Sequence, residues 1–207
     1  MRLLAFTLML TMLQLCLTVP SRPLEANIAM DIEDAKIKRM HNELGIPSDY
    51  AEQSGLPAQD PPLSLVSVGK DMYGREQRLT PQAADAWRRM QSAATRDGVS
   101  LLLVSAFRPP AYQASLLRRK LDRGESIAEA LQAVAAPGHS EHQSGRAIDV
   151  SCAGCAVLEV EFERTETFQW LMQNAQIFGF SLSYPRGNPH GIMYEPWHWC
   201  YAPEDAP

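Results

Sequence analysis

Two short phrases of this chain bring together side chains suited to metal-assisted chemistry: Ser140-Glu141-His142-Gln143-Ser144-Gly145-Arg146-Ala147-Ile148-Asp149 and, near the C-terminus, Glu195-Pro196-Trp197-His198. They supply two imidazoles, an aspartate and a spare glutamate. A catalytic zinc ion takes three protein ligands from His, Cys or carboxylate and leaves its fourth tetrahedral position to water. His142, Asp149 and His198 fill three such positions. Zinc held there brings the pKa of a bound water to roughly 7. Glu195 is then read as general base rather than fourth ligand, because a carboxylate in the last position displaces the nucleophile. The expected chemistry is amide hydrolysis, with Glu195 taking the proton of the water and passing it to the leaving amine.

The spacing says how such a site is assembled. His142 and Asp149 stand too far apart for one helical turn and suit a loop residue followed by a strand, with Gly145 freeing the loop to turn. In an unbent strand Glu195 and His198 point to opposite faces, so both reach one metal only if the chain bends, as Pro196 allows. Trp197 and Trp199 share a face and read as core packing. His139 and His190 read as flanking loop histidines, Glu141 as solvent-facing, and Ser140 as a hydroxyl for the loop or a substrate. No Gly-x-Ser-x-Gly elbow makes Ser140 an acyl nucleophile. Arg108, bracketed by Ser105 and Pro109 after a buried strand, offers a five-donor fork that suits a free carboxylate. Its alternative role is to stitch loop to helix.

These residues need elements to hold them. Helical spacing predicts helices over 31–44, 81–97, 111–122, 126–134 and 165–178, the second opened by Thr80-Pro81. Strands are expected over 63–68, 99–104, 147–150 and 194–201, with 47–62 a surface loop and 71–79 a polar connection. Helices early and strands late favour an α+β fold, a small central antiparallel sheet with flanking helices.

Met1-Arg2 followed by an apolar run to Val19 reads as a secretory leader over 1–26, cleaved after Ser21 or Ala26, or as an uncleaved anchor. Cys16 suits lipidation poorly because Leu15 precedes it. A helix and surface loop (27–62) and a catalytic domain (63–207) follow. The protein is expected to be exported to the periplasm or cell envelope, to touch a membrane only if the leader is retained, and to be a monomer. A net charge of -5 gives no bias towards nucleic acid, and Arg118-Arg119-Lys120 with Arg123 reads as a solvated helix face. After the leader, Cys152, Cys155 and Cys200 suggest one disulfide, either local or joining the turn after Asp149 to Cys200.

Ser140-x-His142-x-x-Gly145-x-Ala147-x-Asp149, Glu195-x-Trp197-His198 and Ser105-x-x-Arg108 resemble the three signatures of the VanY-type D-alanyl-D-alanine carboxypeptidases, part of the lysostaphin, D-Ala-D-Ala peptidase and hedgehog-like zinc group. The likeness runs from about residue 63 to 201. It implies Zn2+ bound by His142, Asp149 and His198, Glu195 as catalytic base, and Arg108 binding substrate and stabilising developing charge. Ser105 and Ser140 are expected at the substrate, as is Gln113, which falls loosely at a Tyr-x-x-Gln-type helix start. The implied fold is hedgehog/D-Ala-D-Ala-peptidase-like with zinc in an open groove. The implied substrate is a peptidoglycan stem peptide ending in D-Ala-D-Ala, whose free carboxylate agrees with the reading of Arg108. An endopeptidase of the same zinc class and a non-catalytic zinc-containing wall-binding module remain alternatives. The cysteines have no counterpart in the family chemistry.

Overall fold

The structure, a computed structural model, describes residues 24–202. The leader expected over 1–26, with Cys16, therefore falls almost wholly outside the described residues. In chain order the elements are α1 (Leu24–Leu44), α2 (Tyr50–Ser54), β1 (Val66–Lys70), β2 (Glu76–Leu79), α3 (Pro81–Arg96), β3 (Leu102–Ser105), α4 (Pro110–Asp122), α5 (Ile127–Ala133), β4 (Ala147–Ser151), α6 (Glu166–Asn174), β5 (Phe180–Leu182) and β6 (His198–Tyr201). β1 and β2 form a hairpin, and the other strands form an antiparallel sheet in the order β3-β4-β6-β5. The α+β expectation holds. Among the described residues no helix is long and apolar enough to cross a membrane.

Three of the helices, α3, α5 and α6, start where a side chain satisfies a free N–H group. Thr80 Oγ1 accepts from Ala83 N ahead of α3, Ser126 and Glu129 form a reciprocal capping box on α5, and Thr165 caps α6. α3 buries Ala83, Ala84, Trp87, Met90 and Ala94 along one stripe. That stripe meets Ile148 and Val150 of β4 together with Phe180, Trp197 and Trp199. Both tryptophans are thus core residues, as expected. Side chains alternate along a strand, so Ile148 and Val150 face this core while Asp149 points to the opposite face of the central strand.

A second apolar cluster joins the segment after α1 to the catalytic region: Leu44, Ile46, Tyr50 and Leu56 pack with Leu117, Ala130, Ala136 and Tyr184. Polar ties reinforce it. Tyr50 Oη accepts from Ala136 N (3.2 Å), Gln59 N donates to Gly138 O (2.8 Å), and the rings of His41 and His139 bond Pro137 O (2.7 Å) and Leu56 O (3.0 Å). The stretch leading into the His142 turn is consequently clamped from the N-terminal side.

Three expectations need correction. The first strand runs Val66–Lys70 rather than 63–68, and Leu63 is fully exposed. The supposed connection over 71–79 contains β2, because the buried Asp71 carboxylate accepts from Tyr73 N and Arg75 N (2.9 Å each) and closes a turn completed by Gly74 at φ +79°. The final strand starts at His198, not at 194: Pro196 offers no ladder donor, and His198 N bonds Glu195 O (3.1 Å) in a turn before the strand. Cys152 pairs with Cys155 across the turn after β4, leaving Cys200 a buried free thiol. The basic face of α4 is tied outward, through Arg118 to Glu43 and Lys120 to Glu125.

Candidate metal centre

Three elements deliver the candidate ligands. His142 sits on the 3-10 turn Glu141–Ser144, which ends at Gly145 in the left-handed region (φ +71°). A Cβ there would be strained at this φ and would meet the tip of the Leu65 side chain at 2.8 Å, so the turn favours glycine. Asp149 and His198 are register partners on β4 and β6, and Ser105 on β3 is the partner of Asp149 on its other side. Direct cross-strand neighbours bring their side chains within a few ångströms. The donor atoms of His142, Asp149 and His198 all lie within 4.8 Å of one another, all three residues buried. The two imidazole rings stand 4.9 Å apart, edge to face at 74°.

The hydrogen bonds leave the correct nitrogens for a cation. His142 Nδ1 donates to Ala106 O (2.6 Å), placing the lone pair on Nε2. That Nε2 is buried 3.2 Å from Asp149 Oδ2 without completing a hydrogen bond. His198 directs Nε2 to Glu141 Oε2 (2.8 Å) and Nδ1 to Asp149 Oδ1 (3.2 Å). Burial, helped by Arg108, pushes His142 down to about 4. Burial acts the same way on His198, but its hydrogen bonds to Asp149 and Glu141 outweigh it and raise the ring. The Asp149 carboxyl lies well below its usual range despite burial, because both imidazoles and Arg108 favour its charge. Two imidazole nitrogens and a carboxylate converging on one point fit a divalent ion of zinc type.

Arg108, Ser140, Tyr184 and Glu195 line a cavity of about 30 Å³ against His142 and His198. Arg108 Nη2 lies 3.7 Å from Asp149 Oδ2, and its buried Nε has no hydrogen-bond partner. Glu195 Oε2 stands 3.8 Å from His198 Nδ1, and burial pushes its carboxyl up to about 7. The turn at Pro196, rather than a bend within a strand, brings Glu195 and His198 to one side. Gln113 lies beneath the wall instead: it is buried in α4 and its Nε2 donates to Ala135 O (2.9 Å). Ser105 lines a neighbouring cavity. His139 and His190 are structural ties, their Nδ1 atoms bonded to Leu56 O and Ser54 O.

Glu141 is the residue that sequence reasoning misplaced. It faces inward, and its carboxyl, which burial alone would raise, is held down to about 2 by His198. A carboxylate on the outer nitrogen of a ligating histidine fixes tautomer and ring orientation. Glu141→Ala is expected to weaken the affinity for added Zn2+ by about 10- to 100-fold, with Glu141→Gln closer to the native value because it keeps an acceptor. Competition against a fluorescent chelator measures both, and three equal affinities would remove Glu141 from the site.

The sequence model of the VanY family, described as D-alanyl-D-alanine carboxypeptidase, matches residues 76–204, more than half of the 207-residue chain. The putative carboxypeptidase YodJ of Bacillus subtilis (strain 168) is 33% identical over 172 residues, covering 81% of this chain and 60% of that relative. The chain therefore spans about 60% of the relative's length. Among solved structures, the LdcB LD-carboxypeptidase is similar with a TM-score of 0.63 at 30% identity over 72% of each chain. A VanY D,D-pentapeptidase mutant from the VanB-type vancomycin resistance cassette, in complex with Zn(II), gives 0.57 at 26% identity over 73% of this chain and 90% of that one. The matched region contains the whole four-stranded sheet and every residue around the metal centre, and on that ground the chain belongs to the VanY D-alanyl-D-alanine carboxypeptidase family.

Proposed function

We propose that this chain is a zinc-dependent D-alanyl-D-alanine carboxypeptidase that removes the terminal D-alanine from peptidoglycan stem peptides outside the cytoplasm. One juxtaposition carries the reading: the buried Glu195 carboxylate, with no hydrogen bond of its own among the described residues, sits beside the His142, Asp149 and His198 donors without joining them. A site that only binds metal has no use for such a group. The family match and the Zn(II) complex of a structural relative support the metal and the reaction class. The apolar run from Leu3 to Val19, read as a leader, and the Cys152–Cys155 disulfide support export.

His142 Nε2, Asp149 and His198 Nδ1 would hold the zinc, which when bound supplies a polarising charge and a water of lowered pKa. Glu195 accepts the proton of the attacking water and returns it to the departing amine. Arg108, which lines the cavity beside the three donors, holds the terminal carboxylate and stabilises charge gathering on the scissile carbonyl oxygen in this reading.

The test uses zinc-loaded protein with a pentapeptide ending in D-Ala-D-Ala and the tetrapeptide that lacks its last residue, analysed by mass spectrometry. Loss of one D-alanine from the pentapeptide alone is expected. Cleavage only of the tetrapeptide would make it an L,D-enzyme, release of larger fragments an endopeptidase, and binding without cleavage a wall-binding module.

A further inference from the structure

The outward side of α3 carries positive charge for which the metal centre has no use. Helical spacing turns Ala83, Trp87, Met90 and Ala94 to the core and leaves Arg88, Arg89, Ser92 and Arg96 exposed. These four residues and Phe178 line a wide concavity of about 390 Å³, and among the described residues no acid lines it.

Little neutralises the three guanidinium groups. Arg96 makes no ion pair or side-chain hydrogen bond among the described residues. Arg88 Nη2 donates to the uncharged Ser67 carbonyl (2.6 Å). Arg89 Nε bonds Asp85 Oδ2 (3.0 Å), but both side chains are well exposed and water screens the pair. Asp97, next to Arg96, accepts from the Trp170 indole N–H (2.7 Å). Guanidinium forks of this kind match phosphate oxygens in charge-assisted hydrogen bonds.

The surroundings say which phosphate. Phe178 ends the 3-10 turn Ala175–Phe178 and stacks on Trp170 (6.4 Å, 22°), which fixes the turn to the core. Ile177, one residue earlier, is nevertheless 75% exposed, as is 56% of Met172 on α6. A soluble phosphate offers these side chains nothing, whereas the boundary between lipid headgroups and acyl chains accepts cations and apolar tips together. The place of the patch in the fold agrees. α3 packs on the sheet face formed by Ile148 and Val150, and Asp149 points to the other face. A surface docked on the outward arginines therefore lies across both helix and sheet from the metal ligands.

We propose that the concavity of Arg88, Arg89 and Arg96 binds the phosphodiester headgroup of an anionic phospholipid, with Ile177 entering the membrane interface and the metal centre turned away from the lipid. The proposal goes beyond the carboxypeptidase reading and does not depend on it. It also separates membrane contact from retention of the leader.

The test titrates the full chain with vesicles of phosphatidylcholine alone and with vesicles that also contain phosphatidylglycerol, at low salt. Each arginine is worth roughly fivefold at an anionic surface, so phosphatidylglycerol should tighten binding by about 100-fold, and salt at about 0.5 M should erase the gain. Binding through the apolar run Leu3 to Val19 would raise both vesicle affinities alike and leave their ratio unchanged. Arg89→Gln with Arg96→Gln is expected to cut the ratio by about 20-fold. Arg96→Gln alone, at a side chain with no partner to lose, repeats the test should the double variant fold poorly. Ile177→Ser is expected to weaken vesicle binding several-fold while leaving binding of soluble glycerophosphoglycerol unchanged. On phosphatidylglycerol vesicles amide exchange should slow over 88–96 and 172–178 and not over 139–146. Equal affinity for the two vesicles, or a preference that survives the arginine variants, would overturn the proposal. Glycerophosphoglycerol bound as tightly as the vesicles would make this a site for a soluble phosphodiester instead, and slowed exchange over 139–146 would overturn the orientation.

Discussion

Glu195→Gln is expected to lower D-alanine release by about 10²- to 10⁴-fold while the protein still binds one equivalent of zinc. The amide keeps the size of the side chain and cannot take up the proton. The turn that places it depends on backbone bonds, Glu195 N to Tyr184 O and His198 N to Glu195 O (3.1 Å each), which the substitution leaves intact. The pH profile adds a second signature. Burial pushes the Glu195 carboxyl up to about 7, and a dication in the site acts in the opposite direction, towards the charged base. The acid limb of kcat/KM in the native enzyme should therefore fall at or below pH 7, with activity rising as Glu195 loses its proton, and the limb should vanish from the residual activity of Glu195→Gln. Metal analysis and a pH series on the two proteins decide the matter. Loss of zinc in the variant would make Glu195 a ligand, and undiminished turnover would make it a bystander.

The legible part of this site was the part whose chemistry is written in residue type. His142, Asp149 and His198 could be paired from sequence because metal ligands come from few side chains and a strand after His142 was legible over 147–150, one residue short of the observed Ala147–Ser151. Glu141 was misread for a geometric reason. A carboxylate on a loop reads as solvent-facing, whereas the 3-10 turn folds Glu141 back onto His198, a residue from a distant strand. Short strands escaped similarly. β5 is three residues long and exists because Phe180 pairs with Tyr201 and packs in the core, a tertiary cause that local pattern does not carry. The turn opening β2 was available in Asp71-Met72-Tyr73-Gly74, but its polarity masked it as a connection.

The same limit explains Gln113 and the N-terminal segment. The family resemblance puts Gln113 at the substrate, yet its Nε2 donates to Ala135 O, and the neighbours of Ala135, Ala136 to His139, are gripped by Tyr50, Gln59 and His41. Residues before the region of family likeness thereby fix one wall of the catalytic pocket. Long-range partners of this sort leave no periodic trace in either stretch of sequence.

His142→Ala is expected to abolish the stabilisation that zinc confers as well as the activity. For the native protein, zinc at a thousandfold its dissociation constant should add about 4 kcal/mol to the folded state, seen as a higher melting temperature that a chelator reverses. Removing His142 takes away one of three ligands, a loss that must exceed the roughly 10- to 100-fold typical of an outer partner such as Glu141, so the same zinc concentration leaves the melting temperature almost unmoved. The substitution has a structural cost too. It strands the Ala106 carbonyl that now accepts from Nδ1 at 2.6 Å, worth about 1–3 kcal/mol in a buried setting, and empties space beneath Arg108. Comparing melts with and without zinc for both proteins separates the two effects, because the structural cost lowers both curves of the variant while the ligand loss closes the gap between them. A zinc-dependent gap as wide in His142→Ala as in the native protein would show that the imidazole serves the loop and that the metal, if bound, is held elsewhere.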